Sequence, residues 1–215
     1  MRVAEKTVER LCLYRRLLIE LRREGVRNVF SHVLGERLGL TAAQVRRDVM
    51  AVGYSGSTRR GYDVVGLGQA IGDYLDRPEG TRVVVVGLGN LGRALVAYFT
   101  GRREKLSVVA GFDSDPAKTE RVLSGCRIYP MDELRRVADK EAAQVAMLAV
   151  PAAQAQAVAE FCVGAGIQGL LNFAPVRLRV PDHVYVLDVD LAVFLEKVAF
   201  FSGKARGKDE VADES

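Results

Sequence analysis

The stretch Val83-Val84-Val85-Val86-Gly87-Leu88-Gly89-Asn90-Leu91-Gly92 decides the fold of this chain of 215 residues. Its four valines form a continuous apolar run, which is typical of a parallel strand covered on both faces. Three glycines follow in the pattern G-x-G-x-x-G. The first makes a tight turn, the second lets the backbone approach a pyrophosphate, and the third lets a helix pack on the strand. The stretch therefore predicts a strand, a phosphate-binding turn and a helix N-terminus.

Strands and helices alternate after this stretch. The predicted strands are Arg82–Val86, Ser107–Asp113, Gln144–Val150, Gly169–Phe173 and Val184–Asp190. The predicted helices between them are Leu91–Thr100, Met131–Val137 and Ala152–Ala165. This alternation indicates an α/β fold with a Rossmann-like, doubly wound parallel sheet. We therefore place a dinucleotide-binding domain at residues 81–190.

An acidic residue ends the second predicted strand of this domain. Asp113 lies 21 residues after Gly92, where the carboxylate that binds a ribose hydroxyl belongs. Because Ser114 and Asp115 follow it, a 2′-phosphate would meet two carboxylates, so NADH or NAD+ is favoured over the phosphorylated cofactor. The predicted cofactor-binding residues of the turn are Gly87, Leu88, Gly89, Asn90, Leu91 and Gly92.

The ends of the later strands supply candidates for the nicotinamide half of the site. Ligands of such sheets lie outside the carboxyl ends of the strands, where Val150, Pro151 and Asn172 are found. An alternative interpretation is that the prolines near these positions only punctuate loops.

The N-terminal part of the chain is basic. Residues 1–60 carry 13 Lys and Arg against 6 Asp and Glu, whereas the remainder carries 18 against 21. Helices are predicted at Glu5–Glu24, at Ser31–Leu38 and from Thr41, and the last two form a helix-turn-helix across Gly39. The turn-rich stretch Gly53–Tyr62 then predicts the wing of a winged-helix domain. We place this DNA-binding domain at residues 1–80.

Four arginines stand where such a domain would contact double-stranded DNA. Arg46 and Arg47 suit base edges or phosphates in the major groove. Arg59 and Arg60, at the predicted wing tip, suit a narrow minor groove or phosphates. Thr41 and Gln44, which fit a capping box at the start of the same helix, complete the predicted DNA contacts. Each arginine taken singly has an alternative role as a solvated surface charge.

The last predicted helix is apolar nearly all round. Of the eleven residues Leu191–Phe201, nine are apolar, interrupted only by Glu196 and Lys197. Such a helix must be buried on most sides, and a sheet covers only one. We therefore expect residues 191–203 to form a dimerisation helix that packs into a partner subunit, with docking inside the chain as the alternative. The charged tail, residues 204–215, is predicted to be disordered.

The composition narrows the class of function. Hydrophobic residues make up 49% and charged residues 27%, and no apolar run is long enough to span a bilayer, so we expect no contact with a membrane. Three widely spaced cysteines fit neither a disulfide framework nor a metal site, so we expect a cytoplasmic protein without metal. Only two histidines occur, His32 and His183, and neither is placed as an acid or base near the predicted cleft. We therefore predict no catalytic residues and no enzyme.

These features together resemble the Rex family of redox-sensing transcriptional repressors along nearly the whole chain. An Asn-Phe-Ala-Pro run in the same chain as a winged helix is specific to that family. The matching stretches are Arg10-Leu11, Tyr14, Arg16, Thr41-Ala42, Gln44-Val45-Arg46-Arg47-Asp48, Gly61-Tyr62, Val86-Gly87-Leu88-Gly89-Asn90-Leu91-Gly92, Phe112-Asp113, Asp115-Pro116, Val150-Pro151, Ala165-Gly166-Ile167, Gly169, Leu171-Asn172-Phe173-Ala174-Pro175 and Val189-Asp190.

The resemblance implies a homodimer with exchanged C-terminal helices that binds a palindromic operator and leaves it when NADH replaces NAD+. It also implies that Asp190 reaches across the dimer toward Arg16 and Tyr98, and that Tyr98 belongs to the cofactor pocket. The expected dimer contacts are Leu191, Phe194 and Val198.

The chain departs from the family at three places. Asn90 stands where the family often has Arg, Leu191 stands where it has Phe, and the wing reads Thr58-Arg59-Arg60-Gly61-Tyr62 in place of Arg-Gly-Val-Gly-Tyr. Two alternative functions remain at this point. One is a small NAD-dependent reductase or a CoA-binding enzyme subunit, and the other is a DNA-binding protein whose sensor domain has lost its ligand.

Overall fold

The computed structural model describes residues 4–101 and 105–209, with side chains described as far as Ser202. The chain divides into two compact units, Met1–Glu79 and Gly80–Ser215. No helix among the described residues is long and apolar enough to cross a membrane.

The N-terminal unit is mainly helical. It contains α1 (Glu5–Arg23), β1 (Asn28–Val29), α2 (Ser31–Leu38), α3 (Ala42–Ala51), β2 (Tyr62–Asp63) and α4 (Val64–Leu75). The apolar spacing of α1 predicts a buried stripe at Val8, Leu11, Tyr14, Leu18 and Leu21. The last four are buried, as is Leu17, whereas Val8 in the first turn is 37% exposed. Helix α2 ends at Gly39, which adopts the left-handed conformation with a φ of 65° and so allows the sharp turn into α3.

The wing is a short hairpin between α3 and β2. Ser57 and Gly61 exchange two backbone hydrogen bonds, of 2.8 and 2.7 Å, across a three-residue tip. Gly61 has a φ of 75°, and a Cβ there would overlap the carbonyl oxygen of Val29. Only glycine therefore fits where the wing returns beside β1, which pairs with β2 in antiparallel fashion.

The C-terminal unit is built on one sheet of seven strands. Its strands are β3 (Thr81–Val86), β4 (Leu106–Asp113), β5 (Arg121–Leu123), β6 (Cys126–Pro130), β7 (Val145–Leu148), β8 (Gly169–Asn172) and β9 (Tyr185–Asp188). Its helices are α5 (Asn90–Phe99), α6 (Leu134–Lys140), α7 (Ala152–Gly164) and α8 (Leu191–Asp209). The strand order is β5-β6-β4-β3-β7-β8-β9.

Strand β3 lies at the centre of the sheet and is buried on both faces. Val84 and Val86 pack with residues of α6 and α7, whereas Val83 and Val85 pack with Val96 of α5. The six parallel strands follow the order 3-2-1-4-5-6 of a dinucleotide-binding fold. The topological switch point, where such folds bind ligands, therefore lies between β3 and β7 at their carboxyl ends.

The structure corrects two expectations about this unit. First, the sheet is not wholly parallel, because β5 pairs with β6 in antiparallel fashion through a turn in which Ser124 and Gly125 both have positive φ. Second, α8 continues to Asp209, so the disorder predicted from residue 204 is wrong for residues 204–209. Lys204, Ala205 and Arg206 favour helix intrinsically, and charge alone does not stop a helix. Residues 210–215 lie outside the described part of the chain.

Candidate dinucleotide cleft and nucleic-acid interface

The glycine-rich turn has the backbone geometry that its pattern predicts. Gly87 has a φ of 91°, and a Cβ there would lie 2.5 Å from the carbonyl oxygen of Ala149. A Cβ on Gly92 would overlap the carbonyl oxygen of Gly87, so α5 approaches the end of β3 as closely as only glycine permits. These two glycines are required by the fold itself.

Gly89 has no such structural requirement. Its φ is −72°, which any residue can adopt, and a Cβ there would meet no atom within 4 Å. Gly89 nevertheless lines the cleft, at the N-terminus of α5, where backbone N–H groups attract an anion. The absent side chain thus leaves open space where a pyrophosphate would approach the backbone, and the residues present fit a dinucleotide.

The cleft at the switch point has a volume of about 460 Å³. It brings together seven of the predicted cofactor-binding residues, from the turn, from the end of β4 and from the loop after β7. Those seven are Gly87, Gly89, Asn90, Leu91, Asp113, Val150 and Pro151. The remaining lining residues are Val86, Ser114, Asp115, Lys118, Met131, Ala149, Gln154 and Val158.

Asp113 is fixed in place at the end of β4. Its Oδ2 accepts the N–H of Leu88 at 2.7 Å, and its Oδ1 accepts the N–H of Asp115 at 2.9 Å. Lys118 Nζ lies 3.2 Å from Oδ2. Burial acts to raise the pKa of Asp113, but the two N–H groups and the ammonium outweigh it, so the pKa lies below the ordinary range. Asp113 is therefore a charged acceptor at neutral pH.

Four predicted cofactor residues do not line the cleft. Leu88 is buried and acts through its backbone N–H, and Gly92 lies beneath the turn. Tyr98 is 55% exposed on α5. Asn172 is fully buried, and its amide bonds the backbone of Ala174 and Val176 and the carboxylate of Asp188. The polar atoms of Asn172 therefore hold the loop after β8, and its role in cofactor binding stays a prediction.

Lys118 and Gln154 are cleft residues that the sequence argument missed. The pair Asp115-Pro116 could have indicated Lys118 from the sequence. Asp115 caps a short 3-10 helix that begins at Pro116, and Lys118 is the last residue of that helix. Gln154 lies in the first turn of α7, three residues after the N-cap residue Pro151. Across the described residues, no group of three or more His, Cys, Asp or Glu side chains is arranged to hold a metal ion.

The second surface lies on α3 of the N-terminal unit. Arg46 and Arg47 are both exposed. Arg46 donates to the hydroxyl of Ser31 at 3.2 Å, and Arg47 donates to Gln44 Oε1 at 2.8 Å. Both guanidinium groups are thus held by neutral partners and keep their charge for an anionic ligand.

The start of α3 forms only half of the predicted capping box. Thr41 Oγ1 accepts the N–H of Gln44 at 3.1 Å, as an N-cap does. The Gln44 side chain does not return to Thr41. Its amide nitrogen donates to Asp48 at 3.0 Å, while its oxygen accepts from Arg47. Charged partners therefore take both ends of the Gln44 amide, since the Asp48 carboxylate accepts from its nitrogen and the Arg47 guanidinium donates to the oxygen that a capping box would pair with the Thr41 N–H.

Asp48 ties α3 to α1. This carboxylate is 3% exposed and accepts two hydrogen bonds from Arg10, of 2.6 and 2.8 Å, and one from the Tyr14 hydroxyl at 2.8 Å. Burial acts to raise the pKa of Asp48, but the bonds from Arg10, Tyr14 and Gln44 outweigh it and place the pKa below the ordinary range. The orientation of α3 is therefore set by a charged, buried network.

The wing and the last helix carry the remaining predicted residues. Arg59 and Arg60 are exposed at the wing tip, where their backbone N–H groups donate to the Ser57 hydroxyl. Asp190 caps α8, because its Oδ1 accepts the N–H groups of Ala192 and Val193. Arg16 is exposed on α1. The predicted dimer contacts Leu191, Phe194 and Val198 are 56%, 55% and 64% exposed.

The fold and these two surfaces define a class of protein, in which a helix-turn-helix DNA-binding unit is joined to a Rossmann-like nucleotide-binding unit. Two family models match accordingly. Residues 2–49 match "Putative DNA-binding protein N-terminus", and residues 78–176 match "CoA binding domain".

Similar proteins identify the family. The chain is 37% identical over 206 residues to the "Redox-sensing transcriptional repressor Rex" of Desulfitobacterium hafniense, covering 96% of this chain and 98% of that one. It is 40% identical to the Rex repressor of Chloroflexus aurantiacus, covering 90% and 92%. The chain belongs to the Rex family of redox-sensing transcriptional repressors. These relatives are named as transcriptional repressors, and not as reductases or CoA-binding enzyme subunits.

Solved structures of a Rex-family repressor share the whole fold. RSP in complex with β-NAD+ and operator DNA matches with a TM-score of 0.88 and 26% identity, over 100% of this chain and 99% of that one. RSP in complex with β-NADH matches with a TM-score of 0.85, over 98% and 99%.

Proposed function

We propose that this protein is a transcriptional repressor that reads the ratio of NADH to NAD+. As a homodimer it binds a palindromic operator, and it leaves the operator when NADH replaces NAD+. The observation that carries this proposal is the presence in one Rex-family chain of an exposed arginine pair on α3 and a cleft with space for a dinucleotide at Gly89. The related repressor RSP binds both nicotinamide forms and operator DNA.

The cleft residues divide the work of binding. The backbone at Gly87 and Gly89 and the N-terminus of α5 would hold the pyrophosphate, and the Asp113 carboxylate would accept a ribose hydroxyl. Val150 and Pro151 would line the nicotinamide side. The bound dinucleotide supplies a ring whose charge differs between its oxidised and reduced forms.

The homodimer is supported by α8. The apolar side chains of Leu191, Phe194 and Val198 are more than half exposed, although each would gain about 1.5–3 kcal/mol from full burial. One face of the edge strand β9 is also exposed within the described residues, since Tyr185 and Leu187 are 55% and 43% exposed while Val186 between them packs into the core. An exchanged α8 from a partner subunit would cover such a face.

The proposed switch is a change in the angle between subunits. Two α3 helices would enter successive major grooves about 34–36 Å apart or a multiple of it. A ligand shifts this equilibrium only by its differential affinity for the two arrangements, and moving the dimer from mostly bound to mostly free needs roughly 3–5 kcal/mol. By resemblance, Asp190 would contribute by changing partners between Tyr98 and the partner subunit's Arg16. We infer a cytoplasmic location from the proposed binding to operator DNA.

The test is a titration of fluorescently labelled operator with the full-length protein, followed by anisotropy. We expect tight binding with saturating NAD+ and at least a 100-fold weaker affinity with saturating NADH. Equal affinity with the two cofactors would overturn the proposal.

The double variant Arg46→Ala with Arg47→Ala tests the assignment of the two surfaces. It should abolish operator binding but leave the NADH fluorescence titration unchanged. Loss of both operator binding and NADH binding would show that the two surfaces were assigned to the wrong roles. Stoichiometric binding of NADH would also exclude the alternative of a DNA-binding protein whose sensor domain has lost its ligand.

A further inference from the structure

The exposed face of α3 contains one large apolar residue, Met50, that the proposed function does not yet use. Ala43, Arg46, Arg47 and Met50 are exposed, whereas Val45, Asp48 and Val49 are buried. The exposed residues follow the spacing i, i+3, i+4, i+7, so they form one stripe along the helix. A homeodomain recognition helix reads bases through residues at the same spacing.

Met50 is unusual on such a stripe. It is 73% exposed and takes no part in the apolar core of the unit, which includes Val45 and Val49 from the same helix. The neighbours of Met50 on the stripe are the cations Arg46 and Arg47, one turn away. A ligand that covers this stripe must therefore be anionic and must also offer an apolar group.

The major groove of DNA offers one such apolar group at the base edges. Guanine, cytosine and adenine present hydrogen-bond donors or acceptors there, and thymine adds its 5-methyl group. A methionine thioether is at best a weak acceptor, so a favourable Met50 contact with a base edge must come from apolar packing.

We propose that Met50 packs against a thymine 5-methyl group in each half of the operator and so selects a T·A pair there. This inference rests on the proposed function, because it assumes that α3 enters the major groove. Met50 lies three or four residues beyond the arginines, a rise of about 4.5–6 Å along the helix. Base pairs are 3.4 Å apart, so the thymine lies within about two base pairs of a base that Arg46 or Arg47 contacts.

The experiment removes the methyl group from the DNA and leaves everything else unchanged. An operator is first selected from a pool of random duplexes with the full-length protein. Each thymine in turn is then replaced by deoxyuridine in both half-sites, and affinities are measured by anisotropy for the wild type and for Met50→Ala. Loss of one buried methyl group is expected to weaken wild-type binding about fourfold per half-site at one position. At that position Met50→Ala should bind the thymine and deoxyuridine operators equally.

Three further variants control for the shape, the polarity and the position of the side chain. Met50→Leu, which remains apolar, should retain the sensitivity to deoxyuridine, whereas Met50→Gln, of similar length but polar, should lose it. Arg46→Ala should bind every operator more weakly but retain the deoxyuridine effect. If no thymine near the arginine contacts is sensitive, or if Met50→Ala keeps the full sensitivity, the inference fails while the proposed function stands. If no duplex is selected at all, the proposed function fails instead.

Discussion

Helices α1 and α8 have the same length of 19 residues and opposite surroundings. Helix α1 buries one stripe of five side chains and exposes most of its charged residues, apart from Arg10 and Arg15, which are partly buried. On α8, every described apolar side chain is exposed, including Leu195 at 70% and Phe201 at 59%. The comparison shows that the width of an apolar surface on a helix indicates how many neighbours it needs. One stripe needs one core, whereas an apolar surface all round needs more than this chain provides for α8.

The largest effect is expected from charge on α8. Phe194→Glu with Val198→Glu places two carboxylates four residues apart on one face, and burying an unpaired carboxylate is strongly unfavourable. We expect the dimer to dissociate, with a dimerisation Kd raised at least 1,000-fold, as measured by sedimentation velocity. Phe161→Glu on α7, where the phenylalanine is 44% exposed, is the matched control and should leave the dimer intact. A double variant that remains dimeric would show that α8 does not form the interface.

A core truncation on α1 should have the next largest effect. Leu18 is 2% exposed, and Leu18→Ala should lower the free energy of unfolding of the N-terminal unit by about 2–5 kcal/mol. Its neighbour Ile19 is 48% exposed, so Ile19→Ala should change that free energy by no more than about 0.5 kcal/mol. Urea unfolding of both variants checks the difference. Similar losses at the two positions would mean that the apolar stripe of α1 does not decide its packing.

The attachment of α1 to α3 should depend on pH through Asp48. Because the pKa of Asp48 is lower in the folded state, its contribution to stability is present above the ordinary aspartate pKa of about 4 and is lost as pH falls below it. Asp48→Asn weakens the bonds to Arg10 and Tyr14 and should cost about 2 kcal/mol at pH 7. The cost should shrink as unfolding is followed from pH 5 toward pH 3. A cost that does not vary with pH would contradict the role of the charge.

The smallest effect is expected at Asp190, where two variants separate capping of α8 from a role in the response to NADH. Helix α1 begins without a side-chain cap, whereas Asp190 caps α8. Asp190→Ala should cost about 1 kcal/mol of stability, and Asp190→Asn should cost little, because asparagine also caps. If Asp190 also pairs with the partner subunit's Arg16, both variants should reduce the effect of NADH on operator affinity. An NADH response retained in Asp190→Asn would leave Asp190 with the cap alone.

Local patterns predicted much of the fold. The four valines and three glycines fixed the central strand, the turn and the start of α5, since Gly87 and Gly92 leave no alternative residue at their positions. The β5–β6 hairpin was missed because its strands of three and five residues are too short to show a period. They become strands because β5 pairs with β6 and β6 pairs in turn with β4.

The sequence predicted those residues of the candidate site whose position follows from the backbone. It predicted less well the residues whose polar side chains have several possible hydrogen-bond partners. Asp113 follows directly from its position at the end of β4. Asn172 lies at the corresponding end of β8, but its amide is consumed by neighbouring carbonyls and Asp188, a choice that spacing does not record. Gln44 likewise donates to Asp48. That carboxylate is buried and charged only because α1 packs on α3 and brings Arg10 and Tyr14 to it, although both are far from Asp48 in sequence.

The bonds from Leu88 and Asp115 to the Asp113 carboxylate have a consequence for sensing. In the proposed function Asp113 is the ribose acceptor, and the chain's own backbone fixes its position through these two bonds. Binding of the adenosine half would then cost little ordering entropy, and that cost would be the same for either redox form. The shared half of the molecule would serve as an anchor of constant strength, so that competition between the two forms would be decided at the ring, where they differ.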